Sequence, residues 1–97
     1  MNEGLLFGAV IIIAGIILSL FPPKKINSIY GYRTASSMRN KENWDKANKY
    51  SSLLMIIFGI VILLISSIFK STMINLITLG VSILLIFILV ETKIKRS

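Results

Sequence analysis

The chain has 97 residues, of which 55% are hydrophobic, and its eleven basic and four acidic residues give a formal net charge of +7. It contains no cysteine and no histidine, which excludes disulfides, thiol chemistry and the residue most often used as a general base or metal ligand. The hydrophobic residues are concentrated in three uncharged runs, residues 4–21, 51–69 and 73–90. A water-soluble helical bundle is therefore a poor alternative to a membrane protein.

Each run is long enough to cross a bilayer. A helix rises about 1.5 Å per residue, so runs of 18 or 19 residues extend over about 27–29 Å, close to the roughly 30 Å thickness of the hydrocarbon core. Three strands could not close a barrel, and an open sheet cannot satisfy its backbone in lipid. The sequence predicts one all-α domain over residues 1–97, an integral membrane protein with three transmembrane helices.

The first run, residues 4–21, is expected to be a permanent span, because no basic residue precedes it as in a signal peptide. Pro22 and Pro23 should end this helix, since proline disfavours helical geometry in the residue before it. In the loop that follows, Tyr30 and Tyr32 are expected to place their rings at the membrane interface and their hydroxyls in water.

Ser36 or Ser37 is the expected N-cap of the second helix, because a hydroxyl there can accept a bond from an unpaired backbone amide. No glycine or proline follows before Gly59. One continuous helix over about residues 38–69 is one interpretation. A separate interfacial helix with a bend at residues 51–52 is the other.

Charged and aromatic residues are combined at the start of this helix. Glu42 with Lys46, and Asp45 with Lys49, are pairs at a spacing of four with the acid first, which favours ion pairing on an exposed helix. Trp44 is the only tryptophan and is expected in the aromatic belt at the membrane surface.

The second and third runs are joined by residues 70–72, which suffice only for a tight turn between antiparallel helices. Asn75 is expected either to form a hydrogen bond between helices or to be hydrated near the outer interface, with a transport ligand as the weaker alternative. Small residues are expected to let the helices approach closely. These small residues are Gly8, Gly15 and Ser19 on the first helix and Gly59, Ser66 and Ser67 on the second.

The basic residues are distributed unevenly along the chain. Seven lie between the first and second runs, three follow the third run, one lies in the tight turn, and none precedes the first run. The positive-inside rule predicts the N-terminus outside, and the segment 22–50 and the C-terminus in the cytoplasm, so that the second helix extends into the cytoplasm. At a membrane surface these residues favour anionic lipid headgroups over nucleic acid as partners.

No enzymatic activity is expected. The four carboxylates Glu3, Glu42, Asp45 and Glu91 have no histidine or cysteine to act with. Neither a phosphate-binding glycine loop nor a metal-ligand motif is present in the sequence. No charged residue lies within the three runs, where ion-coupled transport sites usually have one. We expect no catalytic residues, no cofactor and no metal.

A distinctive pattern follows the first run: Pro22-Pro23, Asn27, Gly31, Tyr32, Arg33, Thr34, Ser37, Glu42, Trp44, Asn48 and Tyr50. This pattern resembles the signature of the SdpI family of bacterial membrane proteins, which are named for immunity to a secreted peptide toxin. The resemblance implies a multi-pass protein of the bacterial cytoplasmic membrane. A member of that family also holds a repressor at the membrane.

Three functions follow from these observations as hypotheses. The first is immunity to, or protection from, a membrane-active peptide toxin, with a role in signalling. The second is an adaptor that recruits a cytoplasmic partner, such as a repressor, to the exposed stretch 38–50. The third is a small pore or lipid transporter, which three short helices could form only as a homo-oligomer.

The signature residues are candidates for a functional or a structural role: Asn27, Gly31, Tyr32, Arg33, Thr34, Glu42, Trp44 and Asn48. Gly31 permits a turn with positive φ. The Arg33 guanidinium is a fork of donors that suits either a carboxylate, with Glu42 and Glu91 as candidates, or a lipid phosphate or other ligand.

Overall fold

The structure, a computed structural model, describes residues 3–27 and 29–95. Three α-helices make up the fold: α1 (Glu3–Leu20), α2 (Lys41–Ile68) and α3 (Thr72–Lys95), and the described ranges contain no strand. Each helix is long and apolar enough to cross a membrane. The molecule measures 42 × 24 × 19 Å, and its long axis matches the roughly 40–45 Å of a bilayer with its headgroups. The prediction of an all-α protein with three spans is confirmed.

The continuous interpretation of the second helix is also correct. The 28 residues of α2 run without interruption through Ser51 and Ser52. At about 1.5 Å per residue this helix is about 42 Å long, and its charged first part extends beyond the apolar part that follows. The third helix likewise continues past the predicted end at Val90 to Lys95.

The N-cap of α2 was predicted wrongly. Asn40 occupies that position with extended backbone, and its Oδ1 accepts a hydrogen bond of 2.8 Å from the backbone amide of Asn43. Ser36 and Ser37 lie in the preceding turn, where the amide of Met38 donates to the carbonyl of Thr34. The Ser37 hydroxyl stabilises this turn instead of capping the helix.

Glycines bring α1 and α2 into close contact. A Cβ added at Gly8 would lie 2.9 Å from the carbonyl oxygen of Gly59, and one added at Gly59 would lie 3.1 Å from that of Gly8. Gly15 is buried against α2 in the same way, but Ser19 and Ser67 are exposed. The small-residue interface is therefore confirmed for the glycines and Ser66 and wrong for these two serines.

Asn75 joins all three helices at the end of the bundle where α1 begins. Its Oδ1 accepts a hydrogen bond of 3.1 Å from Ser66 of α2, and its Nδ2 lies 3.4 Å from Oε1 of Glu3 in α1. The predicted interhelical role of Asn75 is confirmed.

At the opposite end, α2 and α3 enclose a hydrophobic cluster together with a loop residue. Its buried members are Tyr32, Ala47, Leu54, Ile86, Val90 and Ile94. Over their full lengths, α1 contacts α3 far less than it contacts α2, and a gap lies between α1 and α3. The 22–50 segment and the last turns of α3 thus meet at one end of the bundle. The side of the membrane on which this end lies stays a prediction of the charge distribution.

Replacement of Gly59 by alanine tests the close approach of α1 and α2. The new Cβ would lie 2.5 Å from the Ile12 side chain and 3.1 Å from backbone atoms of α1, so we expect a loss of about 1–3 kcal/mol. Gly80→Ala is the matched control, because nothing lies within 4 Å of a Cβ there. Thermal unfolding in mild detergent, followed by circular dichroism, should show a lower Tm for G59A only; equal Tm values would contradict this packing.

Candidate functional site

The segment between α1 and α2 folds back onto the end of the bundle, and Trp44 is central to this arrangement. Trp44 is fully buried, and its Nε1 donates a hydrogen bond of 2.8 Å to the carbonyl oxygen of Pro23. The prediction of a membrane-belt tryptophan is wrong, because the loop covers the indole. The ring anchors the chain just after the end of α1.

Asn48 holds the middle of the same loop. It lies one turn after Trp44 on α2, and its Nδ2 donates to the carbonyl of Trp44 at 2.9 Å. This bond orients the amide so that Oδ1 accepts a hydrogen bond of 2.6 Å from the backbone amide of Tyr32. Asn48 is almost completely buried, so its side chain replaces water as the partner of an irregular backbone.

Gly31 is required where the loop passes over Asn48. Its φ of +107° belongs to a region that other residues rarely adopt. A Cβ would also lie 2.5 Å from Oδ1 of Asn48 and 2.8 Å from the ring of Pro23. Both the turn and the close contact therefore select glycine, as the sequence predicted for the turn.

Tyr32 and Thr34 dock the loop onto α3. Both hydroxyls donate to Oε2 of Glu91, each at 2.8 Å. The Tyr32 ring lies against Phe87 with 5.5 Å between the ring centroids. The prediction that the Tyr32 hydroxyl faces water is wrong, because this hydroxyl is bonded to Glu91 and the side chain is buried.

Burial raises the pKa of the Tyr32 phenol, and the adjacent Glu91 carboxylate raises it further. The phenol therefore remains protonated at physiological pH and acts as the donor in this contact. Tyr32 and Thr34 thus share one carboxylate oxygen of Glu91, which lies 59 and 57 residues further along the sequence.

The turn after Thr34 is fixed by short polar side chains. The Ser37 hydroxyl accepts from the Thr34 amide at 2.8 Å, and the Thr34 hydroxyl accepts from the Ser37 amide at 3.1 Å. Asn43 of α2 donates to the carbonyl of Ser36 at 3.0 Å. Within residues 3–27 and 29–95, no buried side-chain nitrogen or oxygen lacks a hydrogen-bond partner.

Asn27 organises the first part of the loop. Its Oδ1 accepts from the amides of Ile29 and Tyr30, at 2.9 and 2.7 Å, and its Nδ2 donates to the carbonyl of Lys25. The Asn27 carbonyl in turn accepts from Nε of Arg33 at 3.2 Å. Asn27 is thus a turn-forming residue that also positions Arg33.

Arg33 is the exposed member of the signature. In the described ranges the ion pairs of this segment are Glu42 with Lys46 and Asp45 with Lys41, and Arg33 takes part in none. The prediction of a clamp between Arg33 and Glu42 or Glu91 is therefore wrong. A lipid phosphate or another ligand stays the open alternative for this guanidinium.

Glu42 lies away from the docked loop. It is exposed on α2 and pairs with Lys46 at 3.4 Å, as predicted. The predicted partner of Asp45 was wrong: Asp45 pairs with Lys41 at 2.8 Å and not with Lys49. Both pairs lie on the exposed side of α2, whereas Trp44, Ala47 and Asn48 share its buried side.

A groove of about 760 Å³ opens beside Arg33, between α1 and α3. Its walls include Val10 and Ala14 from α1 and Ile83 and Phe87 from α3. Its end at the loop is lined by Tyr30 to Arg33, and the Tyr30 hydroxyl there donates to the carbonyl of Phe21 at 2.8 Å. The groove is thus apolar along its length and basic at one end.

Sequence reasoning did not identify this groove or the role of Glu91 as the acceptor for Tyr32 and Thr34. The groove results from the sparse contact between α1 and α3, which composition does not encode. The position of Glu91, directly after an apolar span and at the same predicted membrane level as the loop, was the available signal for a contact with it.

Together these features define a small multi-pass membrane protein whose irregular loop is docked on one end of a three-helix bundle. The chain belongs to the SdpI/YfhL protein family, whose model matches residues 24–91, which include the docked loop and α2 and most of α3. It is similar to the uncharacterized protein YfhL of Bacillus subtilis strain 168, with 46% identity over 94 residues that cover 95% of this chain and 86% of that protein. No solved structure matches the chain.

Replacement of Glu91 tests how the loop is held on α3. Glu91→Ala leaves the two hydroxyls without their acceptor, and we expect a loss of about 1–3 kcal/mol. Glu91→Gln retains an acceptor oxygen and should cost less. Glu42→Ala is the control, because its exposed ion pair contributes little. Tm values in detergent should fall in the order E42A, E91Q, E91A; an unchanged Tm for E91A would show that the loop is held in another way.

Proposed function

We propose that this protein protects a bacterial cytoplasmic membrane against a membrane-active peptide. This is the function after which its family is named. The observation that carries the proposal is the family match over residues 24–91, which includes the loop from Lys24 to Asn40. The proposal includes no catalytic step. Protection would come from binding at the membrane surface.

Among the signature residues, Arg33 is the best candidate for this binding. Most signature residues are used to hold the loop: Gly31, Tyr32, Thr34, Trp44 and Asn48 are committed to contacts within the protein. Arg33 is exposed, positively charged and fixed in position by one bond to Asn27. A fixed guanidinium at a membrane surface can recognise a carboxylate or a phosphate bidentately.

The basic surface around Arg33 also favours an interfacial role. Lys24 and Lys25 lie in the same loop and are exposed, and Asp45 and Glu42 are each paired with a lysine of α2. The loop end therefore keeps an excess of positive charge. With the loop in the cytoplasm, as the charge distribution predicts, this surface would meet the anionic inner leaflet.

A test in cells can separate the effect of Arg33 on protection from the effect of positive charge in general. A strain without the gene should be more sensitive than its parent to at least one peptide in a panel of membrane-active peptides. Arg33→Ala, at unchanged protein level, should shift the inhibitory concentration of that peptide toward the value of the deletion strain. Arg39→Ala removes an equal charge from an exposed position outside the groove and should leave protection intact.

Two results would contradict the proposal. Unchanged sensitivity of the deletion strain to the whole panel would remove protection as the function. Equal loss of protection in R33A and R39A would show that overall charge, and not the positioned guanidinium, is what matters.

A further inference from the structure

The groove between α1 and α3 is concave, has apolar walls and ends at a positive charge. Its volume of about 760 Å³ falls in the range of roughly 300–1,000 Å³ that is common for sites of small ligands. The Arg33 side chain lines one end, and the remaining walls are mainly aliphatic and aromatic. This combination suits an amphiphile with an anionic head.

The length of the groove corresponds to one leaflet of a membrane. On α1 it extends from Leu18 near the loop to Leu6, and at 1.5 Å per residue these residues are about 18 Å apart along the axis. Half of a hydrocarbon core of roughly 30 Å is about 15 Å. An acyl chain with its headgroup at the loop would therefore end near the far end of the groove.

The charge at the loop end has no acidic partner among the described residues. Nε of Arg33 bonds to the carbonyl of Asn27 at 3.2 Å, which uses one of the five guanidinium donors. Within residues 3–27 and 29–95, no carboxylate forms an ion pair with Arg33. The geometry leaves donors for a phosphate at the mouth of the groove.

We propose that the groove holds an acyl chain of an anionic phospholipid whose phosphate is bound by Arg33. A helix, from a peptide or from a second copy of this chain, is the competing occupant. A single acyl chain suits the apolar walls and the length of about 18 Å, and its phosphate complements the charge of Arg33 at the end of the groove. The lipid site goes beyond the protective function and does not depend on it.

Native mass spectrometry of the purified full-length protein, stripped of lipid in detergent, tests how many lipids bind per protein and which headgroup is preferred. With phosphatidylglycerol as the probe, one lipid should be retained per chain, and phosphatidylcholine should be retained less. Arg33→Gln should weaken retention of phosphatidylglycerol about fivefold, whereas Arg39→Gln should not. Retention of both lipids alike, or equal loss in both variants, would overturn the proposal.

A second measurement locates the acyl chain of the bound lipid. The full-length protein is placed in phosphatidylcholine nanodiscs that contain a small fraction of phosphatidylglycerol with a photoactivatable diazirine on its acyl chain. Adducts should be concentrated at groove positions such as Val10 and Ile83 relative to Ile57 and Leu64, which are exposed on α2 outside the groove. Ala14→Phe, which fills the groove, should remove the excess, whereas Ile57→Phe should not.

Each remaining outcome counts against the lipid. Adducts spread evenly over all exposed apolar positions would mean that the groove does not bind an acyl chain in preference to the rest of the surface. Groove positions that stay unlabelled while Ile57 is labelled would mean that a protein segment covers the groove. If cells lose protection in R33A although lipid retention is unchanged, the lipid proposal fails and the protective function stands.

Discussion

The hydrogen bonds of Trp44 and Asn48 to the loop are the interactions on which the rest of this structure depends. Irregular backbone next to a hydrocarbon core is costly unless its polar groups are satisfied by the protein or by water. Trp44 satisfies the carbonyl of Pro23, and Asn48 satisfies the amide of Tyr32. Both side chains come from consecutive turns of α2, so a rigid helix determines the course of the loop.

The positions of the other signature residues follow from this docking. Once the loop passes over Asn48, Gly31 must adopt positive φ, and Tyr32 and Thr34 reach Glu91 on α3. Arg33 lies between these two inward-facing residues and is exposed. Most signature residues therefore build the loop, whereas Arg33 is exposed beside the groove and Glu42 lies away from the loop.

The sequence predicted the number and type of the helices, because three uncharged runs decide them, and it left open whether the second helix bends at residues 51–52. It also predicted the turn at Gly31 and the interhelical role of Asn75, which depend on local geometry or on polarity in an apolar context. It did not predict the burial of Trp44 or the Lys41–Asp45 pair. The burial of Trp44 depends on where the loop docks. The ion pair depends on whether Asp45 contacts Lys41 or Lys49, which are both one turn away, and spacing alone does not distinguish these alternatives.

The groove could not be predicted for a related reason. Glycines on α1 and α2 indicate that these two helices approach closely, but they do not indicate how far α3 stands from α1. Gly80 of α3 has open space around it and forms no such interface. The gap beside Arg33 is thus a consequence of one tight helix pair and one loose one.

Hydrogen exchange at the backbone amide of Tyr32, measured by NMR on the protein in nanodiscs, tests the docked loop most directly. This amide belongs to a loop at the end of the bundle, yet it donates at 2.6 Å to the buried side chain of Asn48. We expect it to exchange far more slowly than an amide of an unstructured peptide, since it opens only when the loop leaves the bundle. Exchange at the rate of an unstructured peptide would show that the loop is not docked and would contradict the account.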